Sequence, residues 1–357
     1  MPRLAFPDLG RLDAPARRRR IACWLGMGAL LALSALGLAR VFSRVASPFG
    51  AVDLHPYWYA GHALRQGLNP YQPGLARVIT LPVSYLDGTV TATPPLAQPG
   101  LSLVPVNTAP LSLLLFAFAW LSWPWAKWLW LGVNLGLALL LPRLLLRAFP
   151  QREALTRRDQ VWLHLLFLSL AGTRMALWTG QTTLLVFALM LGALIWRARN
   201  GWVAVAMLGV ALCKYSLALP VFLWLGLSRR RRDWHIAALS LLAQLLGLLA
   251  VAALSHSAPL AIAQAYWRIL QYVLRTTADV GVQLALLLPA GGWLRSAALG
   301  ALIVAVGGTI LATARRRETF DNAIEGYALW VILLLGTLLA TYHGTYDTAL
   351  AIAFVPL

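Results

Sequence analysis

Long apolar stretches, separated by short polar segments rich in arginine, make up most of this chain. A helix needs about 20 apolar residues to cross the hydrocarbon core of a bilayer, and the first stretch is close to that length. Some others are shorter or contain proline, which membrane helices tolerate where neighbouring helices or cavities satisfy the backbone. The pattern predicts an all-α polytopic membrane helical bundle of about 11–12 transmembrane helices, formed from the stretches 21–39, 94–106, 108–122, 124–142, 161–178, 182–196, 202–213, 216–228, 235–254, 293–313, 324–342 and 347–357.

The distribution of basic residues predicts how these helices are oriented. If the N-terminus is cytoplasmic and the spans alternate, about two thirds of the basic residues fall in cytoplasmic segments, as the positive-inside rule requires. Counting 94–122 as one span would instead place the arginines of 143–158 outside. We therefore expect a basic cytoplasmic N-terminus at 1–20 and one integral-membrane domain at 21–357, in the cell (inner) membrane.

Two long segments lie on the extracytoplasmic side in this arrangement, at 40–93 and 255–292. We expect the first of these outer loops to carry short interfacial helices. The final run, 347–357, would be only ~16 Å long as a helix. The sequence thus leaves open whether the last helix is partial or the C-terminus is incomplete.

Composition excludes a soluble enzyme. Hydrophobic residues make up 60% of the chain and charged residues 12%, with a mean hydropathy of +0.70, whereas globular domains have about 25% charged residues. The net charge of +18 lies mostly in short runs between spans, so it indicates cytoplasmic anchoring and not a nucleic-acid partner. No disulfide, metal or cofactor is expected, because the cysteines lie at opposite faces and no metal-binding, Walker or hydrolase motif occurs.

The polar residues with chemical potential gather on the extracytoplasmic side. Asp53 follows the first span, among aromatic residues that include Tyr57 and Tyr59. A carboxylate at the interface can act as a general base. The alternative is that Asp53 is a helix cap or a solvated loop acid.

Lys214 is one of only two lysines and is flanked by apolar residues on both sides. A lysine at membrane depth costs on the order of 2.5–3.5 kcal/mol, so it should face a cavity or an anion. Dividing 202–228 into two short arms places Lys214 at their outer tip, where a lipid phosphate is a natural partner. Snorkelling to the interface is the alternative.

Several further residues are weaker candidates. Arg268 and Arg275 are seven residues apart, so they share one helix face, which suits either an anionic head group or a ligand-free interfacial helix. His343 lies at the outer end of a span and can orient a phosphate. Gln181 follows Gly180 in an outer turn. Either its amide binds a sugar hydroxyl, or the segment is a plain hairpin turn. The 16 tryptophans form either an interfacial belt or a stacking platform.

Taken together, these residues resemble a known family. Asp53, Tyr59 and the segment 67–71, which reads Gly-Leu-Asn-Pro-Tyr, resemble the first outer loop of glycosyltransferase family 87. These are GT-C-type membrane enzymes and include mannosyltransferases that use polyprenyl-phosphate-mannose. The chain departs from the family pattern at Thr93 and Tyr215, where a tyrosine and a proline are usual. Further matches follow in order: 93–96, Asn134, Gly180 with Gln181, Lys214, 229–232 and Trp234.

The resemblance implies transfer of mannose or another hexose, with inversion, from a polyprenyl-phosphate sugar to a glycolipid or glycan hydroxyl on the extracytoplasmic face. Asp53 would be the general base. Lys214 would offset the charge on the lipid phosphate, together with His343, Arg268 and Arg275. The sugar and the acceptor would be held by Gln181, Tyr57, Tyr59, Asn69 and Tyr71.

Two other functions compete with this interpretation. A transporter or flippase of a lipid-linked sugar would also have broken helices and an interfacial lysine. It predicts internal repeats or polar residues at the membrane midplane, and the sequence shows neither. A structural partner with an inactive site is the third hypothesis.

Overall fold

The computed structural model describes residues 14–47, 50–72, 105, 107–149, 155–227 and 230–276, with isolated positions between 297 and 312. Every regular element among these residues is helical, which confirms the predicted all-α fold. The α-helices are α1 (Ala14–Ala46), α2 (His55–Arg65), α3 (Ala109–Leu114), α4 (Trp123–Ala148), α5 (Arg157–Ser169), α6 (Ala171–Thr179), α7 (Thr183–Trp196), α8 (Gly201–Ala211), α9 (Tyr215–Leu227), α10 (Arg231–Leu254) and α11 (Pro259–Thr276).

Within the described residues, four helical segments are long and apolar enough to cross a membrane. They are Ile21–Ala46, Trp123–Ala148, Gly201–Leu219 and Arg231–Leu254. Helices α5 and α6 together also qualify, with a bend of 57° between them, so up to five crossings are present by length and composition. The protein is therefore a multi-pass membrane protein. The stretches 324–342 and 347–357, most of 94–106 and of 293–313, and the outer-loop parts 73–93 and 277–292 lie outside the described residues.

The stretch 108–122 differs from its expected form as a single span. It divides into the six-residue helix α3 and a 3-10 helix at Phe116–Trp120. Pro110, in the first turn of α3, lies against α10, where a Cβ on Gly247 would be only 2.5 Å from the Pro110 Cγ. The 3-10 segment packs on α2 instead, where a Cβ on Gly61 would lie 2.7 Å from the Ala119 Cβ. These contacts bend the stretch around the bundle, so it supports the first outer loop.

Two expected features of the outer loops are present. Helix α2 is a short helix inside the first loop, and its residues 57–64 are buried. Helix α11 lies in the second loop and buries Ile262, Ala265 and Ile269, while Trp267 and Arg268 are exposed. Spacings of three and four residues place the buried side chains on one face, so α11 is an amphipathic helix. Both helices bring loop residues towards the same end of the bundle.

A close helix contact that a substitution can test joins α8 and α10. Gly209 of α8 has no room for a side chain, because a Cβ there would lie 2.9 Å from the Ala243 Cβ. Replacing Gly209 with leucine should lower the free energy of unfolding by about 1–3 kcal/mol, the usual cost of overpacking. Thermal unfolding in detergent measures this effect. The matched control is Gly136→Leu, since no atom lies within 4 Å of that Cβ position; equal stability losses in both variants would contradict this packing.

Candidate functional site

The loop that carries Asp53 is bonded to the end of α6. The backbone N–H of Ala51 donates to the carbonyl of Trp178, and that of Asp53 donates to the carbonyl of Thr179, both at 2.8 Å. Ala51 itself has a positive φ of 57°, which turns the chain sharply after α1. The Asp53 side chain is half-buried. The candidate general base therefore lies beside the turn between α6 and α7.

That turn depends on Gly180. It has a φ of 72° in the left-handed region, and a Cβ would lie 3.1 Å from the Ala51 Cα, so glycine is required for both conformation and space. The indole N–H of Trp130 donates to the Gly180 carbonyl at 2.8 Å. Gln181 follows, largely buried at 9% exposure. The predicted turn after Trp178 is thus present, and Gln181 lies close to the Asp53 loop.

Lys214 lies on the other side of the same turn. Its Nζ donates to the Thr183 Oγ1 at 2.7 Å, and its side chain is 9% exposed. Thr183 begins α7, only four residues after Thr179, to which Asp53 is bonded. Asp53 and Lys214 are therefore held at one end of the bundle through a single short segment.

The chain reverses direction at Lys214. A Cβ on Gly209 would meet the Ala243 Cβ, whereas a Cβ on Gly226 would lie 3.7 Å from the Ala237 Cβ. Ala237 precedes Ala243 by six residues on α10, so the contact of Gly226 is ~9 Å nearer the N-terminus of α10 than the contact of Gly209. The path thus turns back at the 3-10 segment Leu212–Lys214. Although Gly201–Leu219 has the length and composition of a span, it forms two arms with Lys214 at their tip, as the sequence predicted.

A hydrogen-bonded cluster joins the first loop to this tip. The Asn107 Nδ2 donates to the Tyr57 hydroxyl at 2.5 Å, and the Tyr71 hydroxyl donates to the Asn107 carbonyl at 3.1 Å. The next residue, Thr108, donates its N–H to the Cys213 carbonyl at 3.2 Å. Tyr57 and Tyr71 therefore lie beside the lysine, and Asn107 is a residue that sequence analysis did not identify.

Burial controls the ionisation of these phenols. Desolvation raises the pKa of Tyr57 well above its ordinary value, and nearby groups that include Asp53 raise it further. The pKa of Tyr71 is raised in the same way, mainly by burial. Both hydroxyl groups consequently remain protonated at neutral pH and can donate hydrogen bonds.

Other predicted site residues have different surroundings. Tyr59 is buried against other rings, with centroids 4.8 Å from His55 and 5.3 Å from Trp58. The Asn69 Oδ1 accepts a hydrogen bond from the Tyr71 N–H at 2.9 Å, so Asn69 shapes the turn that positions Tyr71. The side chains of Tyr59 and Asn69 are thus not part of the hydrogen-bonded cluster that Tyr57 and Tyr71 form with Asn107.

The predicted phosphate ligands are only partly tested by the structure. Arg268 is exposed on α11, and its Nε lies 3.4 Å from the Gln264 carbonyl oxygen. The neighbouring Tyr266 instead reaches the cluster, with its ring 5.4 Å from that of Tyr71. His343 and the side chain of Arg275 lie outside the described residues. Among the residues that are described, no three His, Cys, Asp or Glu side chains are placed to hold a metal ion.

Sequence analysis also missed Lys127, which is only 4% exposed. It lies on the face of α4 that carries Trp123 and Trp130, four residues after the first and three before the second. The Trp123 ring lies 4.4 Å from that of His55, and Trp130 contacts Gly180 beside Ala51. Asp53 is between His55 and Ala51 in the chain, so these contacts place Lys127 opposite the Asp53 loop. The sequence feature that could have identified Lys127 is the rarity of lysine, which occurs only twice in the chain.

The fold and the site define a class of protein. Apolar helices and the loops between them hold an acid, two buried amines and several hydroxyl groups at one end of a helical bundle. The model of glycosyltransferase family 87 matches residues 109–341, more than half of the chain, and the chain belongs to that family.

The family match confirms the resemblance found in the sequence, and the protein is a membrane glycosyltransferase. Lys127, Gln181 and Lys214 lie inside the matched region, whereas Asp53 and His343 lie outside it. No curated protein and no solved structure matches the chain. The roles of individual residues therefore depend on the geometry described above.

The histidines of α2 predict how stability changes with pH. Burial lowers the pKa of His55 to about 4, and burial with nearby Arg65 lowers that of His62 to about 4. Because these values lie below the unfolded value of about 6.5, the unfolded chain binds more protons between pH 6.5 and 4. The free energy of unfolding should thus be highest above pH 6.5 and decrease as the pH falls towards 4.

Melting temperatures measured between pH 7.5 and about 4.5 test this effect. The variant His55→Phe keeps the ring contacts and should show a weaker decrease than the wild type. His235→Phe, on the exposed start of α10, is the control and should leave the slope unchanged. A slope that is equal in all three proteins would exclude His55 as its cause.

Proposed function

We propose that this glycosyltransferase transfers a hexose, such as mannose, from a polyprenyl-phosphate donor to a hydroxyl of a glycolipid or glycan on the extracytoplasmic side of the cell membrane. The observation that carries the proposal is the shared attachment of Asp53 and Lys214 to the segment 179–183. A lipid donor remains in the bilayer, so its phosphate is accessible only at the end of the helices. An acid and an amine are both held at that end.

The reaction follows from the positions of these groups. The Asp53 carboxylate accepts the proton of the acceptor hydroxyl as its oxygen attacks the anomeric carbon. The bond between that carbon and the phosphate oxygen breaks from the opposite side, so the configuration inverts, and the polyprenyl phosphate leaves with the electron pair. The Lys214 ammonium stabilises the charge that develops on the departing phosphate. The step balances without a metal or a further reactant.

Lys127 has a positioning role in this proposal. Its side chain is buried on the face of α4 that also carries Trp123 and Trp130, the face that lies against the Asp53 loop. A buried cation beside a half-buried carboxylate favours the ionised form of the acid, which is the form that a general base requires. Lys127 thus keeps Asp53 deprotonated, while Lys214 acts on the phosphate.

Neutral donors complete the proposed substrate pocket. Burial raises the pKa of the Tyr57 phenol, so Tyr57 keeps its proton and can donate it to a sugar hydroxyl. The Tyr71 hydroxyl donates its proton to the Asn107 carbonyl and can accept a hydrogen bond from the sugar. Gln181 adds a side-chain amide at the turn between α6 and α7. For the donor phosphate, Arg268, Arg275 and His343 remain proposed ligands, each of which a separate substitution can test.

The first experiment uses purified protein in vesicles with a labelled polyprenyl-phosphate hexose and lipid acceptors. Asp53→Asn should lower kcat by about 10²–10⁴-fold, the usual contribution of a general base. Lys214→Met should lower it by about 10²–10³-fold, as expected for loss of charge stabilisation. Asp159→Asn is the control, because Asp159 only caps α5 through Thr156.

The outcomes distinguish the competing functions. Label that enters the acceptor supports a transferase, whereas label that crosses the bilayer without incorporation supports a flippase. Wild-type activity in Asp53→Asn would exclude Asp53 as the base.

A separate prediction concerns Lys127. Lys127→Met removes the charge with little change in volume, so the acidic limb of the kcat profile should move to higher pH, because Asp53 becomes harder to ionise. A double-mutant cycle supplies a second measurement: Lys127→Met should destabilise the wild type more than it destabilises Asp53→Asn. An unchanged pH profile with additive stability losses would show that Lys127 does not act on Asp53.

A further inference from the structure

Three arginines lie along the contact between α1 and α6. The guanidinium of Arg44 lies 4.8 Å above the Trp178 ring, and Arg174 is one helical turn before Trp178 on α6. Arg40 is one turn before Arg44 on α1 and is exposed, as Arg44 is. We name these three residues the arginine seam.

Gly37 makes space for this arrangement. A Cβ at Gly37 would collide with the Arg174 Cδ and lie 3.1 Å from its Nη1, so the Arg174 side chain occupies the space that a larger residue would fill. Gly37, Arg40 and Arg44 are at positions i, i+3 and i+7, which share one side of a helix. The Arg174 guanidinium therefore reaches α1 within one turn of Arg40.

The seam has no acidic partner in the part of the chain that the structure describes. The acids in that part are Asp53, Asp159 and Asp233. None of them forms an ion pair with a seam arginine, and no seam side chain donates a hydrogen bond to a described residue. Three neighbouring cations repel one another, so an anion from outside this set would stabilise them.

The depth of the seam matches that of lipid head groups. Arg40 comes 19 residues after Ile21, the first residue of the apolar span, so the two lie ~29 Å apart along the helix. That distance is about the thickness of the hydrocarbon core. The seam lies at the end of the bundle where the Asp53 loop is bonded to Trp178, and Arg40 and Arg44 are exposed there.

From this geometry we infer that the arginine seam is a binding site for the phosphate group of an anionic membrane lipid. Guanidinium groups bind phosphate oxygens through paired, charge-assisted hydrogen bonds. Arg44 is held in place by Trp178 and Arg174 by the Gly37 gap, while Arg40 completes the cluster. The inference concerns binding alone, so it stands or falls independently of the transfer reaction.

Titration of the detergent-solubilised protein with phosphatidylglycerol, followed by native mass spectrometry, tests this site. Arg44→Gln and Arg174→Gln should each weaken binding about tenfold, as expected for loss of a hydrogen bond to a charged group. The matched control is the pair Arg143→Gln and Arg147→Gln, two exposed arginines in the last turns of α4, at the end of that helix opposite to Trp130 and the Gly180 turn. These controls should bind as the wild type does.

A second variant keeps every charge. Gly37→Ala displaces Arg174 without removing a cation and should also weaken binding, whereas Gly28→Ala, with no atom within 4 Å of its Cβ position, should not. Wild-type affinity in both Arg174→Gln and Gly37→Ala would overturn the site. Inorganic phosphate that binds as tightly as the lipid would overturn its assignment to lipid. Melting temperatures without added lipid confirm that each variant is folded.

Discussion

The structure depends on hydrogen bonds to one short segment, residues 178–183. Its carbonyl groups accept from the Asp53 loop and from Trp130, and its Thr183 hydroxyl accepts from Lys214. Inside a membrane protein such groups have little water to bind, so each needs a partner within the protein. Satisfying the turn between α6 and α7 therefore also assembles the first loop, α4 and the tip of the two arms around one site.

The opposite end of the bundle is held by charge. Arg197, at the end of α7, lies 3.9 Å from Asp233 at the start of α10, and both side chains are buried. The Arg197 guanidinium also lies 5.1 Å above the Trp224 ring of α9. A buried pair of this kind gives little net stability, but removing one partner leaves an uncompensated charge. The pair thus fixes the contact between the ends of α7 and α9 and the start of α10, and thereby keeps Lys214 at the other end of the two arms.

At the end of the bundle that holds the turn between α6 and α7, the site combines few charges with many neutral donors. Tyr57, Asn107 and Tyr71 bond to one another before any sugar is present. Donors whose positions are already fixed lose little entropy when a ligand binds. The arginine seam is close by, with Arg44 above the Trp178 ring, so the polar site and the proposed lipid contact share one structural support.

The sequence by itself determined the membrane class, the all-α fold and the family, and it predicted Lys214 at the tip of two arms, because apolar length and arginine distribution are local properties. Asp53, Gly180 and Lys214, which the sequence analysis singled out, all lie at the segment 178–183 in the structure. Only the tertiary structure decided that 108–122 wraps around the bundle, that Tyr59 turns into an aromatic core, and that Asn107 and Lys127 join the site. These outcomes depend on which helix faces meet, and contacts between residues distant in the chain leave no periodic pattern in the sequence.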